Sequence, residues 1–342
     1  RYDLDENELR PYFRLDNVRD GAFAVANKLY GITFSPIDKI PLPHPDAQAF
    51  EVKEADGSHI GVLYMDFYPR ESKRQGAWCG GYRDHKIVDG REITPVVTIV
   101  GNFTPPSGGR PALLSMDDVL TLFHEFGHGL HHLLTRVDEL GVSGISGVEW
   151  DAVELPSQFM ENFCWEWENV RDMSAHVETG EALPRELFDR MLAAKNFQAG
   201  MATLRQIEFA LFDMLLHVEE VADVAEIQAV LDAVRKEVAL LPVPGWNRFQ
   251  NSFSHIFAGG YAAGYYSYKW AEVLSADAYA AFEEAASAPQ PERAISEAGR
   301  RFLDEVLAVG GSRPAIESFR AFRGREPSLE PLLRHSGMVE EA

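Results

Sequence analysis

Phe123-His124-Glu125-Phe126-Gly127-His128-Gly129-Leu130-His131-His132 holds the residue types and the spacing for metal chemistry. On a helix His124 and His128 lie at i and i+4, one turn apart on one face. Two imidazoles so placed can converge on a single tetrahedral cation. Glu125 follows the first of them and can reach a water on that cation without binding the metal itself. A zinc-bound water ionises near neutral pH and becomes a nucleophile. Glu125 would take its proton during attack on a peptide carbonyl and deliver it to the leaving amine. A stray His-Glu-x-x-His is expected in on the order of a few per cent of chains of this kind, so the motif needs a third ligand.

His131 returns to the same face at i+7, but it lies a further ~4.5 Å along the axis from His128. A satisfied core or supporting role suits it better, and His132 faces elsewhere. The next acidic cluster is Glu149, Asp151, Glu154 and Glu161. Within Val153-Glu154-Leu155-Pro156-Ser157-Gln158-Phe159-Met160-Glu161, Glu154 and Glu161 share one helical face. Spacing leaves both open: one would bind the metal, and the other could orient a ligand histidine from behind.

A second cluster stands far downstream: His255, Gly259, Gly260, Tyr261, Tyr265 and Tyr268. The two glycines allow close approach of the backbone. Read as a helix, Tyr261, Tyr265 and Tyr268 fall on one face and carry three phenol hydroxyls. Such phenols could donate to the oxyanion of a tetrahedral intermediate, worth about 3 kcal/mol per donor in comparable sites. An aromatic core stripe is the plainer reading of the same spacing. Gly141, Gly144 and Gly147 suit either a loop over a substrate or a simple connector.

These groups must be positioned by the elements around them. Periodicity predicts a helix from Asp16 to Tyr30, then a proline-broken stretch through Pro36, Pro41, Pro43 and Pro45. Phe50–Val52 and His59–Phe67 read as strands around the turn Ala55-Asp56-Gly57. Pro95–Phe103 reads as a third, nearly all apolar strand, either an edge that pairs with a peptide backbone or a buried interior strand. Ser115 with Asp118 forms a helix-start signature. Helices are expected at 116–134, 154–169, 185–219, 224–240, 260–285 and 291–308. The expected fold is mainly α (α+β), with a small β-sheet near the front.

The chain has 342 residues, 46% of them apolar, and a net charge of −21 from 32 basic and 53 acidic side chains. That surface argues against nucleic acid and anionic membranes as partners, because both require clustered cations. No apolar run approaches the roughly 20 residues of a membrane span. The beginning, Arg1-Tyr2-Asp3-Leu4, has no initiator Met and no signal-peptide pattern, which fits a piece of a longer protein. Cys79 and Cys164 are too few for a disulfide framework, so a reducing, cytoplasmic setting is expected.

The two motifs around His124 and Glu154 together resemble the thimet oligopeptidase family, and the similarity runs from about Tyr2 to the last helices. The resemblance implies a zincin-like catalytic domain, one Zn2+ per chain, and Glu154 as third ligand beside His124 and His128. It also implies that His255, Tyr261 and Tyr268 bind substrate and stabilise the transition state, with Tyr265, Gly259 and Gly260 beside them. The expected activity is that of a zinc endopeptidase cutting short unstructured peptides, as a monomer, with Glu125 activating water. A dipeptidyl carboxypeptidase of the same family is the alternative. A non-catalytic peptide-binding domain with structural zinc is a remote one, since structural zinc sites are usually closed four-ligand shells rich in cysteine. Residues 1–342 are expected to form one catalytic domain, with a mixed front over about 1–110 and a helical part over about 111–342. The N-terminal helical half of that family is not represented in these residues.

Overall fold

The computed structural model describes residues 2–218 and 220–339. Seven strands run along the front: β1 (Thr33–Pro36), β2 (Gln48–Lys53), β3 (His59–Asp66), β4 (Trp78–Arg83), β5 (Lys86–Val88), β6 (Arg91–Ile93) and β7 (Val96–Val100). Five form one sheet in the order β1-β2-β3-β7-β4, and β5 pairs with β6 in a separate hairpin. The pair β3–β7 is parallel, with Leu63 opposite Val97; β4 runs antiparallel to β7, with Gly80 opposite Thr98.

The β-branched run of β7 is therefore interior, and Val97, Thr98, Ile99 and Val100 are buried. This settles the two readings of that strand in favour of the core. A strand covered on both faces reads as continuous apolar sequence, whereas an edge strand does not have to. The free edge is β4, which contains Gly80 and Gly81 and carries a weak strand signal. Pro36 ends β1 at the opposite edge, where its missing N–H costs no ladder bond.

The helix Met116–Leu133 starts as its first residues predict: Ser115 Oγ accepts from the Asp118 amide (3.1 Å), and Asp118 Oδ2 accepts from the Ser115 amide (2.9 Å). Its apolar stripe, Val119, Leu122, Phe123, Phe126, Leu130 and Leu133, is buried in the main core. The next helix, Leu155–Glu161, crosses it where Gly127 stands. A Cβ on Gly127 would lie 2.4 Å from the Pro156 carbonyl oxygen and 2.6 Å from Ser157 Cα. Those are backbone atoms and cannot swing away. Gly127→Ala is therefore expected to destabilise the protein by about 1–3 kcal/mol in urea unfolding, although alanine usually stabilises an isolated helix. A gain in stability would mean that the crossing can relax.

Other helices are shorter than their periodicity suggests. The stretch 154–169 divides into Leu155–Glu161, a 3-10 turn Asn162–Trp165, and Trp167–Met173. The Asn162 side chain donates to the carbonyls of Gln158 and Phe159 and competes with the helical ladder there. The stretch 185–219 breaks into Arg185–Lys195 and Ala199–Val218, with Gln198 at φ 56° between them; residue 219 lies outside the described residues. Val224–Val238 follows, and Pro291–Phe302 continues as a π-helical turn, Leu303–Leu307. The expected helix 260–285 begins only at Tyr266 and runs to Ala286. Ahead of it Gly260 (φ 87°) and Ala263 (φ 54°) are left-handed, a conformation that interrupts a right-handed helix. Phe212, Leu231, Phe253, Ile256 and Tyr265 form a second, smaller core behind this segment.

Candidate functional site

The i, i+4 geometry places His124 and His128 on one face of Met116–Leu133. Glu154 reaches them from the N-cap position of Leu155–Glu161. Its Oε2 lies 3.1 Å from His124 Nε2 and 3.0 Å from His128 Nε2. One ligand atom from each of the three residues falls within 4.8 Å of the others. Two ligands bound to one zinc at 2.0–2.2 Å stand roughly 3.4 Å apart in a tetrahedral shell, so this donor set fits a small divalent cation.

Glu161 sits at the other end of the same short helix, and His124 Nδ1 donates to its Oε1 at 2.7 Å. With Nδ1 so engaged, Nε2 is the ring nitrogen turned toward Glu154 and His128. Ser157 Oγ donates to Glu154 Oε2 at 2.8 Å, and Gln158 Nε2 donates to the Tyr268 carbonyl at 3.1 Å. The stretch Glu154-Leu155-Pro156-Ser157-Gln158 thus sets one carboxylate, steadies it and ties it to the tyrosine segment.

Burial disfavours charge throughout this cluster, and close partners decide which groups ionise. Burial works against the Glu154 carboxylate, but His128 and His124 hold its pKa well below the usual range. Burial also opposes the His124 imidazolium, and Glu154 and Glu161 outweigh it, so its pKa is raised. For Glu125 burial prevails and the pKa rises despite the two histidines. Glu125 Oε2 and His128 Nδ1 are buried and have no hydrogen-bond partner among the described residues. A buried carboxylate oxygen left unmatched costs free energy, so it indicates a group that this site is shaped to receive.

His131 is buried, with neither ring nitrogen hydrogen-bonded among the described residues, where a satisfied core histidine was expected. Burial, followed by the charges of His128 and His132, pushes its pKa down to about 3. It therefore stays neutral, which limits the cost of its unmatched nitrogens. His132 points away as expected and donates Nε2 to the Arg83 carbonyl (3.0 Å), fastening the helix to β4.

The tyrosines come together by a different route from the predicted helical face. Tyr261 lies in the left-handed loop, Tyr265 caps the helix Tyr266–Ala286, and Tyr268 sits in its first turn. The Tyr261 and Tyr268 rings stack at 4.6 Å, and Tyr261 Oη donates to Glu154 Oε1 at 2.5 Å. Burial first, and the Glu154 charge second, raise the pKa of both phenols. His255, on the short helix Ser254–Ala258, has its ring 6.0 Å from that of Tyr268. A cavity of about 650 Å³ is lined by His124, Glu125, His128, Glu154, His255, Gly259, Tyr261 and Tyr268, with Ala77 just ahead of β4 and Trp78 and Cys79 at its start. Tyr265 and Gly260 do not line it. Tyr265 donates its hydroxyl to Gln206 (2.9 Å) and packs in the second core, and burial raises its pKa to about 12.

Four supporting residues are not marked as site residues by the sequence. Trp150 lines the cavity, packs tilted at 53° against Tyr261 with ring centres 4.9 Å apart, and lies where a Cβ on Gly264 would meet it at 2.7 Å. Arg74 lines the cavity from the loop ahead of β4. Gln158 joins Tyr268 as described above. Asp213, buried in the middle of Ala199–Val218, accepts the amides of Ala263 and Tyr265, both at 2.9 Å, and holds the left-handed loop in place. None of these carries a local signal, because each depends on contacts across long stretches of chain. Asp213→Asn leaves one carbonyl oxygen for two donors. Hydrogen exchange over 259–266 is then expected to rise about tenfold, the effect of losing one charge-assisted bond of roughly 1.5 kcal/mol. Unchanged exchange there would mean that the loop is held by other contacts.

The loop with Gly141, Gly144 and Gly147 packs against Gly310 and Gly311, and the Gly311 amide donates to the Val142 carbonyl at 2.9 Å. It behaves as a fastened connector, with Ile145 reaching the cavity wall.

The model of peptidase family M3 matches residues 1–338. This chain belongs to peptidase family M3. Oligopeptidase A of Escherichia coli strain K12 is 50% identical over 98% of this chain and 49% of its own length. The dipeptidyl carboxypeptidase of Salmonella typhimurium is 39% identical over 99% of this chain and 49% of its own. This family M3 chain therefore spans about half the length of the curated relatives it matches. Among solved structures, a carboxypeptidase of Pyrococcus furiosus superposes with a TM-score of 0.55, 13% identity, 96% of this chain and 59% of that one. That likeness concerns the fold alone. Among the described residues, no helix is long and apolar enough to cross a membrane.

Proposed function

We propose that this family M3 chain is the catalytic part of a zinc endopeptidase acting on short unstructured peptides. The observation that carries the reading is the convergence on one cavity of His124, His128 and Glu154 with an unmatched Glu125 oxygen. Zinc held there would lower the pKa of a water molecule and polarise the scissile carbonyl. The chain's own residues supply the rest. Glu161 orients His124 through Nδ1, and Ser157 steadies Glu154. Glu125, its pKa raised by burial, takes the proton of the attacking water at the carboxylate and passes it to the leaving amine.

Tyr261 and Tyr268 keep their protons, because burial and Glu154 raise both pKa values. The Tyr268 hydroxyl is then a donor for the charge that develops on the carbonyl oxygen, while the Tyr261 proton is held by Glu154 Oε1 and steadies that carboxylate. His255 stays neutral, its pKa lowered by burial and by Arg74, so it can donate one hydrogen bond without adding a charge. The β4 edge offers main-chain partners to an extended peptide, a mode of binding that tolerates many sequences. Cys79 and Cys164 are unpaired, which is compatible with the reducing, cytoplasmic setting and with action as a monomer that go with this reading.

A second reading, removal of dipeptides from a free C-terminus, is favoured by the 39% identity to a relative of that name. Zinc-loaded protein incubated with a C-terminally amidated peptide of about a dozen residues, long enough to lie extended through the cleft, separates the two. Internal cuts seen by mass spectrometry support the endopeptidase. Cuts confined to the same peptide with a free C-terminus support the second reading. No cut in either peptide would overturn both.

A further inference from the structure

The cavity holds one Lys or Arg side chain, Arg74, and the chain invests heavily in fixing the loop that carries it. Lys73, next to it, is buried and uses its ammonium on three acceptors: the Asp66 carbonyl (2.8 Å), Asp66 Oδ1 (3.0 Å) and the Tyr68 carbonyl (2.9 Å). Arg70 pairs with both oxygens of the same carboxylate, at 2.9 and 2.8 Å. From the other side, Asn102 Nδ2 donates to the carbonyls of Arg74 (2.9 Å) and Gly76 (2.6 Å). The backbone at Arg74 is thus clamped on both flanks.

The side chain is not. It is exposed and lines the cavity, and among the described residues no hydrogen bond or ion pair engages its guanidinium. Of the carboxylates that share the cavity, Glu154 is committed to Tyr261, Ser157 and the two histidines, and Glu125 makes no ion pair with Arg74. Arg74 also lies at a meaningful place along the strand. It precedes β4, whose first residues line the same cavity, so a peptide extended along that edge passes the guanidinium as it leaves the strand. A rigid backbone with an unpaired planar fork at the end of a binding groove is the arrangement that recognises a carboxylate in two-point fashion.

We infer that Arg74 is a specificity residue that binds a carboxylate of the peptide, either its free C-terminus or an acidic side chain, at the end of the β4 groove. The inference rests on the proposal that this cavity is the peptide site, and binding without turnover tests it separately from catalysis. The probes are four fluorescent peptides of one otherwise uncharged sequence: a free acid, its C-terminal amide, an amide with one internal Glu, and the same amide with Gln in that place. Binding is read by fluorescence anisotropy with zinc-loaded Glu125→Gln protein, with and without Arg74→Gln or Arg74→Lys.

Arg74→Gln is expected to weaken binding of one carboxylate-bearing peptide about tenfold, the effect of one charge-assisted contact, and to leave its uncharged partner within about twofold. Arg74→Lys should recover only part of the loss, since an ammonium cannot form the two-point contact. Loss in the acid–amide pair assigns the carboxylate to the peptide terminus, and loss in the Glu–Gln pair assigns it to a side chain. Equal weakening of all four peptides, or no weakening of any, overturns the inference. Carboxylate-selective binding by a protein that cleaves nothing would support Arg74 while removing the peptidase proposal.

Discussion

Glu125→Gln is expected to keep its metal and lose nearly all peptide hydrolysis, with kcat down by about 10²–10⁴-fold, the usual worth of a positioned general base. The substitution is nearly isosteric, and Glu125 is not one of the three clustered residues that could hold the metal. Glutamine has no site that can accept the proton of the attacking water and none that can pass it to the amine. KM should change little, because the lost interaction operates as the transition state forms. The measurement is turnover of an internally quenched peptide by zinc-replete protein, with metal content determined on the same sample. Retained kcat with a full complement of zinc would sink the assignment of Glu125 as base. Lost activity together with lost zinc would move Glu125 into the ligand set.

Glu154→Gln is expected to affect the metal first and activity only in consequence. Its Oε2 stands 3.0–3.1 Å from both imidazole nitrogens, and its Oε1 accepts from Tyr261. Removing the charge takes away the anionic ligand and leaves a neutral amide among three donors. The loss in zinc affinity should exceed the roughly 10–100-fold that follows removal of a carboxylate hydrogen-bonded behind a ligand histidine. Glu161→Gln is the matched control and should fall within that smaller range, since its carboxylate is hydrogen-bonded to His124 Nδ1 and, among the described residues, reaches no other histidine of the cluster. Competition with a chelator of known affinity would rank the two variants. The reverse ranking would transfer the ligand role to Glu161.

The choice between those two carboxylates shows how far local pattern carries. Both lie on the face predicted for a helix from 154, and periodicity treats them alike. In the folded protein one is the N-cap and the other is the last residue of a single short helix. The crossing at Gly127 sets that helix against the histidines so that its N-terminal end meets Nε2 and its C-terminal end meets Nδ1. The tyrosines make the same point from the opposite direction. Their i, i+4, i+7 spacing suggested a shared face, yet Tyr261 reaches Tyr268 because a left-handed loop folds back, and Tyr265 turns into the second core.

Local rules account for much of the site's scaffold. The i, i+4 spacing put His124 and His128 on one face, Ser115 with Asp118 started their helix, and the apolar run at Val96–Val100 made a strand. Those features depend on backbone periodicity and on hydrogen bonds between near neighbours, so a short window contains all the information they need. That β4 is the open edge, that Glu154 reaches both imidazoles, that Asp213 holds the tyrosine loop and that Arg74 lines the cavity unpaired all emerge on folding. Each of these depends on packing between segments tens of residues apart, where the free energy of burial and pairing is set by which surfaces meet and not by the order of residues along the chain.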